Sequence, residues 1–248
     1  MRLLVTRPEP DALKLGALLE ENGHEATIEP LLSVSFEGGE AIDLEGVQAL
    51  IATSRNALRA LKERFGASPA LAEARGLPLF AVGNATAAEA RALGFATVVT
   101  GAGTAPELVA HIVSALDPAA GLVVHLAGET LAADLAGDPE AHGFRVVQPV
   151  VYRMVAATAL SEETVEQLGS GEIDGVILMS PRTAAVYAAL IRKHHLTAAV
   201  RSLPHFCLSD AVARRLAPLG AVPTHIPEAP RLEEVLALID EVAEQAGG

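Results

Sequence analysis

Seven short segments hold most of the residues able to do chemistry. They are Thr6-Arg7-Pro8, Thr53-Ser54-Arg55-Asn56, Gly83-Asn84-Ala85-Thr86, Thr100-Gly101-Ala102-Gly103-Thr104, Ala127-Gly128-Glu129-Thr130, Ser180-Pro181-Arg182-Thr183 and Ser209-Asp210. Each follows a short apolar run, and most lead into an amphipathic stretch, so they read as turns at the ends of strands, most of them entering a helix. In an open parallel sheet the carboxyl ends of strands and the N-termini of helices converge at such turns. Backbone N–H groups and Ser/Thr hydroxyls there are suited to holding anions. Arg7, Arg55 and Arg182 add a guanidinium to three turns, a group fitted to carboxylate or phosphate. Ser, Thr, Asn and Asp also cap helices, and capping accounts for any single turn taken alone. Tyr152 is one of two tyrosines and follows the apolar pair Val150-Val151. Its phenol either packs over a hinge or projects into a ligand cleft.

Familiar catalytic signatures are missing. Gly101-Ala102-Gly103-Thr104-Ala105-Pro106 has Pro where a dinucleotide fingerprint needs its third Gly, no Gly-Lys-Ser/Thr follows, and no Gly-x-Ser-x-Gly elbow occurs. His194 and His195 adjoin at a helix end and face different directions, which argues against a metal pair. His125 and His205 fall inside apolar strands and Cys207 has no neighbouring base, so all three are expected to pack rather than react. No metal and no cofactor is expected.

The elements that must position these turns alternate along the chain. Strands are predicted at 3–6, 25–28, 49–53, 79–82, 97–99, 122–126, 145–147, 175–179, 205–208 and 224–226. Helices are predicted at 11–22, 56–65, 86–93, 106–116, 130–142, 162–168, 182–193, 211–219 and 232–245, several ending in a glycine such as Gly23 or Gly94. This is an α/β pattern with mostly buried parallel strands. Ala49-Leu50-Ile51-Ala52-Thr53-Ser54 overlies Gly175-Val176-Ile177-Leu178-Met179-Ser180, and Leu77-Pro78-Leu79-Phe80 overlies Leu203-Pro204-His205-Phe206, at one constant offset of 126 residues. Such a repeat implies two similar open-sheet domains. The second copy needs an extra strand and helix that residues 3–22 can supply. The expected layout is therefore a discontinuous domain of residues 1–34 plus 154–248 and an inserted domain of 37–148. Residues 29–36 and 149–156 would pair as a two-stranded β connector.

Composition limits the partners. Half of the chain is hydrophobic, so it can form cores, and 18 Lys+Arg against 31 Asp+Glu give a net charge of −13. A chain so acidic is not expected to bind nucleic acid, which requires many cationic contacts to phosphate. One cysteine excludes an internal disulfide and Cys-rich zinc sites. The first residues lack a signal-peptide pattern and no apolar run is long enough for a bilayer, so a cytoplasmic chain without membrane contact is expected.

Taken in order and spacing, Leu4-Val5-Thr6-Arg7-Pro8, Ile51-Ala52-Thr53-Ser54-Arg55-Asn56-Ala57, Ala81-Val82-Gly83-Asn84-Ala85-Thr86-Ala87, Thr104-Ala105-Pro106-Glu107-Leu108, Val150-Val151-Tyr152-Arg153 and Ile177-Leu178-Met179-Ser180-Pro181-Arg182 resemble the uroporphyrinogen-III synthase family. The resemblance spans essentially the whole chain. It implies two similar open parallel-sheet, flavodoxin-like α/β domains joined by a two-stranded connector, with the substrate cleft between them. It also implies a cofactor-free, monomeric hydro-lyase of heme biosynthesis. Such an enzyme cyclises hydroxymethylbilane, a linear tetrapyrrole polycarboxylate, with loss of water and inversion of ring D. Tyr152 is then the catalytic group. Substrate binding falls to Thr6, Arg7, Thr53, Ser54, Arg55, Gly83, Asn84, Ala85, Thr86, Thr104, Gly128, Ser180, Pro181, Arg182 and Ser209. Two places depart from the family pattern. Ala127 and Ala132 stand where many relatives carry Arg, and Ser209-Asp210-Ala211-Val212 lies where Thr is common. The rival is a cytoplasmic two-domain small-molecule binding or sensor protein without catalysis, although no basic helix-turn-helix accompanies the chain.

Overall fold

The computed structural model describes residues 1–37, 42–66, 68–101, 104–130, 137–140 and 142–247. Two compact units emerge, one of Met1–Ser33 with Val155–Gly248 and the other of Val34–Met154. The chain opens with β1 (Arg2–Val5), α1 (Asp11–Glu21), β2 (Glu25–Ile28) and β3 (Leu32–Ser35). It continues through β4 (Val47–Ala52), α2 (Arg55–Phe65), α3 (Pro69–Gly76), β5 (Leu79–Ala81), α4 (Asn84–Leu93), β6 (Val98–Thr100), α5 (Ala105–Ala115), β7 (Leu122–Gly128), α6 (Gly137–Glu140) and β8 (Arg145–Val147). After β9 (Val150–Ala156) come α7 (Glu162–Ser170), β10 (Gly175–Leu178), α8 (Pro181–Lys193), β11 (His205–Cys207), α9 (Asp210–Ala213), a 3-10 turn at Arg214–Leu219, β12 (Thr224–His225) and α10 (Leu232–Gly247).

In the first unit the sheet runs β12–β11–β10–β1–β2, all parallel. Numbered within the unit, this is the flavodoxin-like order, which reverses direction between β1 and β10. Successive side chains of a strand face opposite sides. Leu3 and Val5 therefore pack with Leu15 and Leu19 of α1 and Ile239 of α10, whereas Leu4 packs with Ala184 and Tyr187 of α8. The central strands β1, β10 and β11 are thereby buried on both faces.

The second unit arranges β8–β7–β4–β5–β6 in parallel. This is the spatial order of the first unit with the chain entering at a different strand. β4, β5 and β6 stand where β10, β11 and β12 stand, as the 126-residue offset requires, while β7 and β8 take the places of β1 and β2. Leu50, Ala52 and Leu126 pack on Leu58 and Leu61 of α2, and Ala49, Ile51 and Val123 pack on Leu108 and Ile112 of α5. β9 joins β7 beyond β8, and β3 lies beside β9. The chain passes from one unit to the other within these two strands.

Three helices differ from expectation. α3 was not anticipated, although Ser68-Pro69 is a helix-start signal. The helix expected over 211–219 turns into 3-10 at Arg214, where continuing the α-helix would bring the Pro218 ring against the Arg214 carbonyl. Of the helix expected over 130–142, α6 covers Gly137–Glu140, and 131–136 and 141 lie outside the described residues. Among the described residues no helix is long and apolar enough to cross a membrane.

Candidate functional site

At the reversal point of the first unit, the turns after β1 and β10 carry Thr6-Arg7 and Ser180-Pro181-Arg182. Thr6 is fully buried and its hydroxyl donates to Ile177 O at 2.7 Å, tying β1 to β10. Arg7, half-buried, reaches Asp11 with Nη2–Oδ2 at 3.4 Å. Ser180 caps α8, its Oγ accepting from Thr183 N at 3.1 Å and lying 2.8 Å from Thr183 Oγ1. Pro181 fills the first helical position, where no donor is needed, and Arg182, itself exposed, follows it. Ser209 precedes α9 without a side-chain cap, but α9 has only four residues.

The corresponding point in the second unit lies between β4 and β7. Ser54 caps α2 by accepting from Asn56 N at 3.2 Å, with half-buried Thr53 before it and Arg55 opening the helix. Asn56 in turn accepts from Arg59 at 3.1 Å. Gly83 stands at the N-cap of α4 and so supplies no capping side chain, and a Cβ there would meet nothing within 4 Å. The first-turn amides of such a helix suit an anion, and here they are flanked by exposed Asn84 and Ala85, while Thr86 turns into the core. Thr104 leaves α5 uncapped and donates instead to Glu107 at 2.6 Å. Residues 102, 103 and 132 lie outside the described residues, and Ala127 is buried within β7.

Tyr152 lies beside the carboxyl end of β7. Its strand pairs Ala127 with Val150 and Gly128 with Tyr152, a register that skips Val151. Glu129 N donates to Tyr152 O at 3.0 Å. The half-buried ring sits directly over Gly128: a Cβ on that glycine would lie 2.6 Å from Tyr152 Cζ and 2.8 Å from its hydroxyl. Only a residue without a side chain allows that approach. A role for Gly128 as the seat of the phenol was not legible from its turn.

The remaining candidates are structural. Tyr187 is buried, with its hydroxyl 3.2 Å from His205 Nε2, and His205 Nδ1 lies 3.3 Å from Pro223 O. The carbonyl requires a proton on Nδ1, so the tyrosine donates to Nε2. Burial holds the His205 imidazole down at about 4 and pushes the Cys207 thiol up to about 12, which leaves both neutral near pH 7. His125 is buried with Nδ1 3.1 Å from Gln148 Oε1, and His194 Nε2 accepts from Leu160 N. Among the described residues no group of three His, Cys, Asp or Glu side chains could hold a metal ion. A surface hollow of about 520 Å³ is bounded by Lys62, Glu63 and Arg75, at the far end of α2 from Ser54.

Comparison with known proteins gives a consistent picture. Residues 14–237 match the family described as Uroporphyrinogen-III synthase HemD. The solved uroporphyrinogen-III synthetase of Helicobacter pylori superposes with a TM-score of 0.66 at 18% identity, covering 97% of this chain and 98% of that one. A mutant uroporphyrinogen III synthase of Thermus thermophilus superposes at 0.51, also at 18% identity and over 99% of each chain. These similarities establish the α/β fold. No curated protein sequence gives a significant match.

Proposed function

The chain belongs to the uroporphyrinogen-III synthase family. With that family's activity as its function, we propose that it works by folding a flexible polycarboxylate into one attack geometry, with the Tyr152 phenol beside the leaving group. A binding or sensor protein without catalysis is not favoured by this membership.

The substrate, hydroxymethylbilane, loses the hydroxyl on ring A as water. Ring D attacks through its substituted α-carbon, and the spiro intermediate fragments and recloses with that ring inverted. Water is lost without net oxidation or reduction, as befits a hydro-lyase. An electron-rich pyrrole expels the hydroxyl readily, and closure in free solution gives the uninverted isomer. The protein's task is therefore orientation.

The α4 amides at Gly83-Asn84-Ala85 offer donors to a substrate carboxylate, as do the hydroxyls of Ser54 and Ser180. Both serine oxygens accept cap hydrogen bonds, and each hydroxyl also carries a proton that can be turned to a ligand oxygen, that of Ser180 in exchange for its contact with Thr183 Oγ1. Arg7, Arg55 and Arg182 supply local positive charge that a chain of net charge −13 must provide where an octa-anion binds. Thr53, Thr104 and Ser209 stand at further turns suited to the remaining carboxylates. Tyr152 donates a hydrogen bond or proton to the departing hydroxyl. The observation that carries this reading is the seating of the phenol over Gly128, where the sheet of the second unit reverses order.

Purified protein supplied with freshly made hydroxymethylbilane tests the function, with the products oxidised and the isomers separated by chromatography. Mainly type III product is expected. Type I product at the rate seen in buffer would overturn it.

A further inference from the structure

Val151 is the extra residue of a bulge. Between the pairs Ala127–Val150 and Gly128–Tyr152, one step along β7 matches two along β9. Bulges of this kind re-aim the side chains beside them, and here the neighbour is Tyr152. The Val151 carbonyl is met by Arg64, from the last turn of α2, whose Nη2 donates to it at 3.1 Å. The same nitrogen lies 3.4 Å from Phe36 O, just past β3. Toward its other end, α2 brings Asn56 Nδ2 to 4.0 Å from Met154 Sδ. One helix therefore touches β9 on both sides of Tyr152, and its N-terminus carries the Ser54 turn.

We propose that Arg64 is a positioning residue that sets the Tyr152 phenol by holding the Val151 bulge. This rests on the catalytic reading of Tyr152. A buried carbonyl beside an irregularity in strand pairing is stabilised by a donor, and a guanidinium can meet two backbone carbonyls from one rigid plane. With that donor removed, the bulge is free to relax toward regular pairing. A slip of one residue along a strand would turn the side chain at 152 to the opposite face. The phenol would then leave Gly128 while the turns that hold carboxylates stayed in place. Arg64 thus acts on turnover rather than on substrate affinity.

The test is a double-mutant cycle of Arg64→Met with Tyr152→Phe, read as kcat and KM for hydroxymethylbilane. Methionine keeps the apolar stem and removes the donors. Arg64→Met is expected to lower kcat about tenfold with KM within about twofold of the parent. In the Tyr152→Phe background it is expected to change kcat by less than about twofold, because the group it positions is already gone. Arg64→Lys restores one donor and is expected to recover part of the rate; it carries the same comparison should Arg64→Met fail to fold. Equal losses in both backgrounds, or none in either, would overturn the proposal. A slow Tyr152→Phe beside an unimpaired Arg64→Met defeats this inference alone. An unimpaired Tyr152→Phe defeats the catalytic reading of Tyr152 and this inference with it.

Discussion

The phenol of Tyr152 rests on the bare backbone of Gly128, so close that a Cβ on the glycine would fall 2.8 Å from the tyrosine hydroxyl. The two residues are paired across β7 and β9, and Glu129 N donates to Tyr152 O. A side chain at position 128 would therefore displace the ring from this seat.

Gly128→Ala is expected to displace the ring and to reduce kcat on the order of 10²-fold, toward the level of Tyr152→Phe. The backbone of β7 accepts alanine, so circular dichroism should remain that of the parent. A wild-type kcat in Gly128→Ala would show that the placement of the phenol does not matter.

Ser54 and Ser180 are assigned two tasks, capping and carboxylate binding, and two substitutions separate them. Alanine at either site is expected to cost about 1 kcal/mol of stability and glycine only a few tenths, since glycine is tolerated at an N-cap. Both changes remove the hydroxyl, so both are expected to raise KM alike, by about tenfold for a lost bond to a charged group. Melting curves and steady-state kinetics on the four variants decide it. A KM that stays at the parent value in the glycine variants would leave these serines as caps alone.

His205 predicts a loss of stability in mild acid. Its imidazole titrates at about 4 in the folded chain because burial disfavours the cation, against about 6.5 when unfolded. The folded state thus binds fewer protons than the unfolded state between these values. Stability from this group is complete above pH 6.5 and falls as pH drops toward 4, by on the order of 3 kcal/mol. Urea midpoints measured from pH 7.5 to 4.5 should decline, and His205→Gln should flatten the decline. An equal slope in the variant would assign the acid sensitivity to other groups.

The sequence carried the architecture well because its signals are local. Apolar runs of strand length, amphipathic stretches and glycines such as Gly23 and Gly94, both at positive φ, mark each element and its end. The 126-residue offset gave the correspondence of β4, β5 and β6 with β10, β11 and β12. The site was legible only as a set of turns. Whether a hydroxyl points inward cannot be read from its neighbours: Thr6 ties two strands together and Thr86 enters the core, while Ser54 and Ser180 face the helix starts they cap. The two relationships that fix Tyr152 join residues distant in the chain, Gly128 by close approach and Arg64 by a hydrogen bond across 87 positions. Neither leaves a local pattern.

The central claim is that geometry selects the isomer and the Tyr152 phenol accelerates departure of the hydroxyl. The rate and isomer ratio of Tyr152→Phe, measured together on fresh hydroxymethylbilane, test it most directly. The account predicts turnover slower by on the order of 10²-fold with the type III proportion retained. Loss of type III selectivity at an unchanged rate would contradict it.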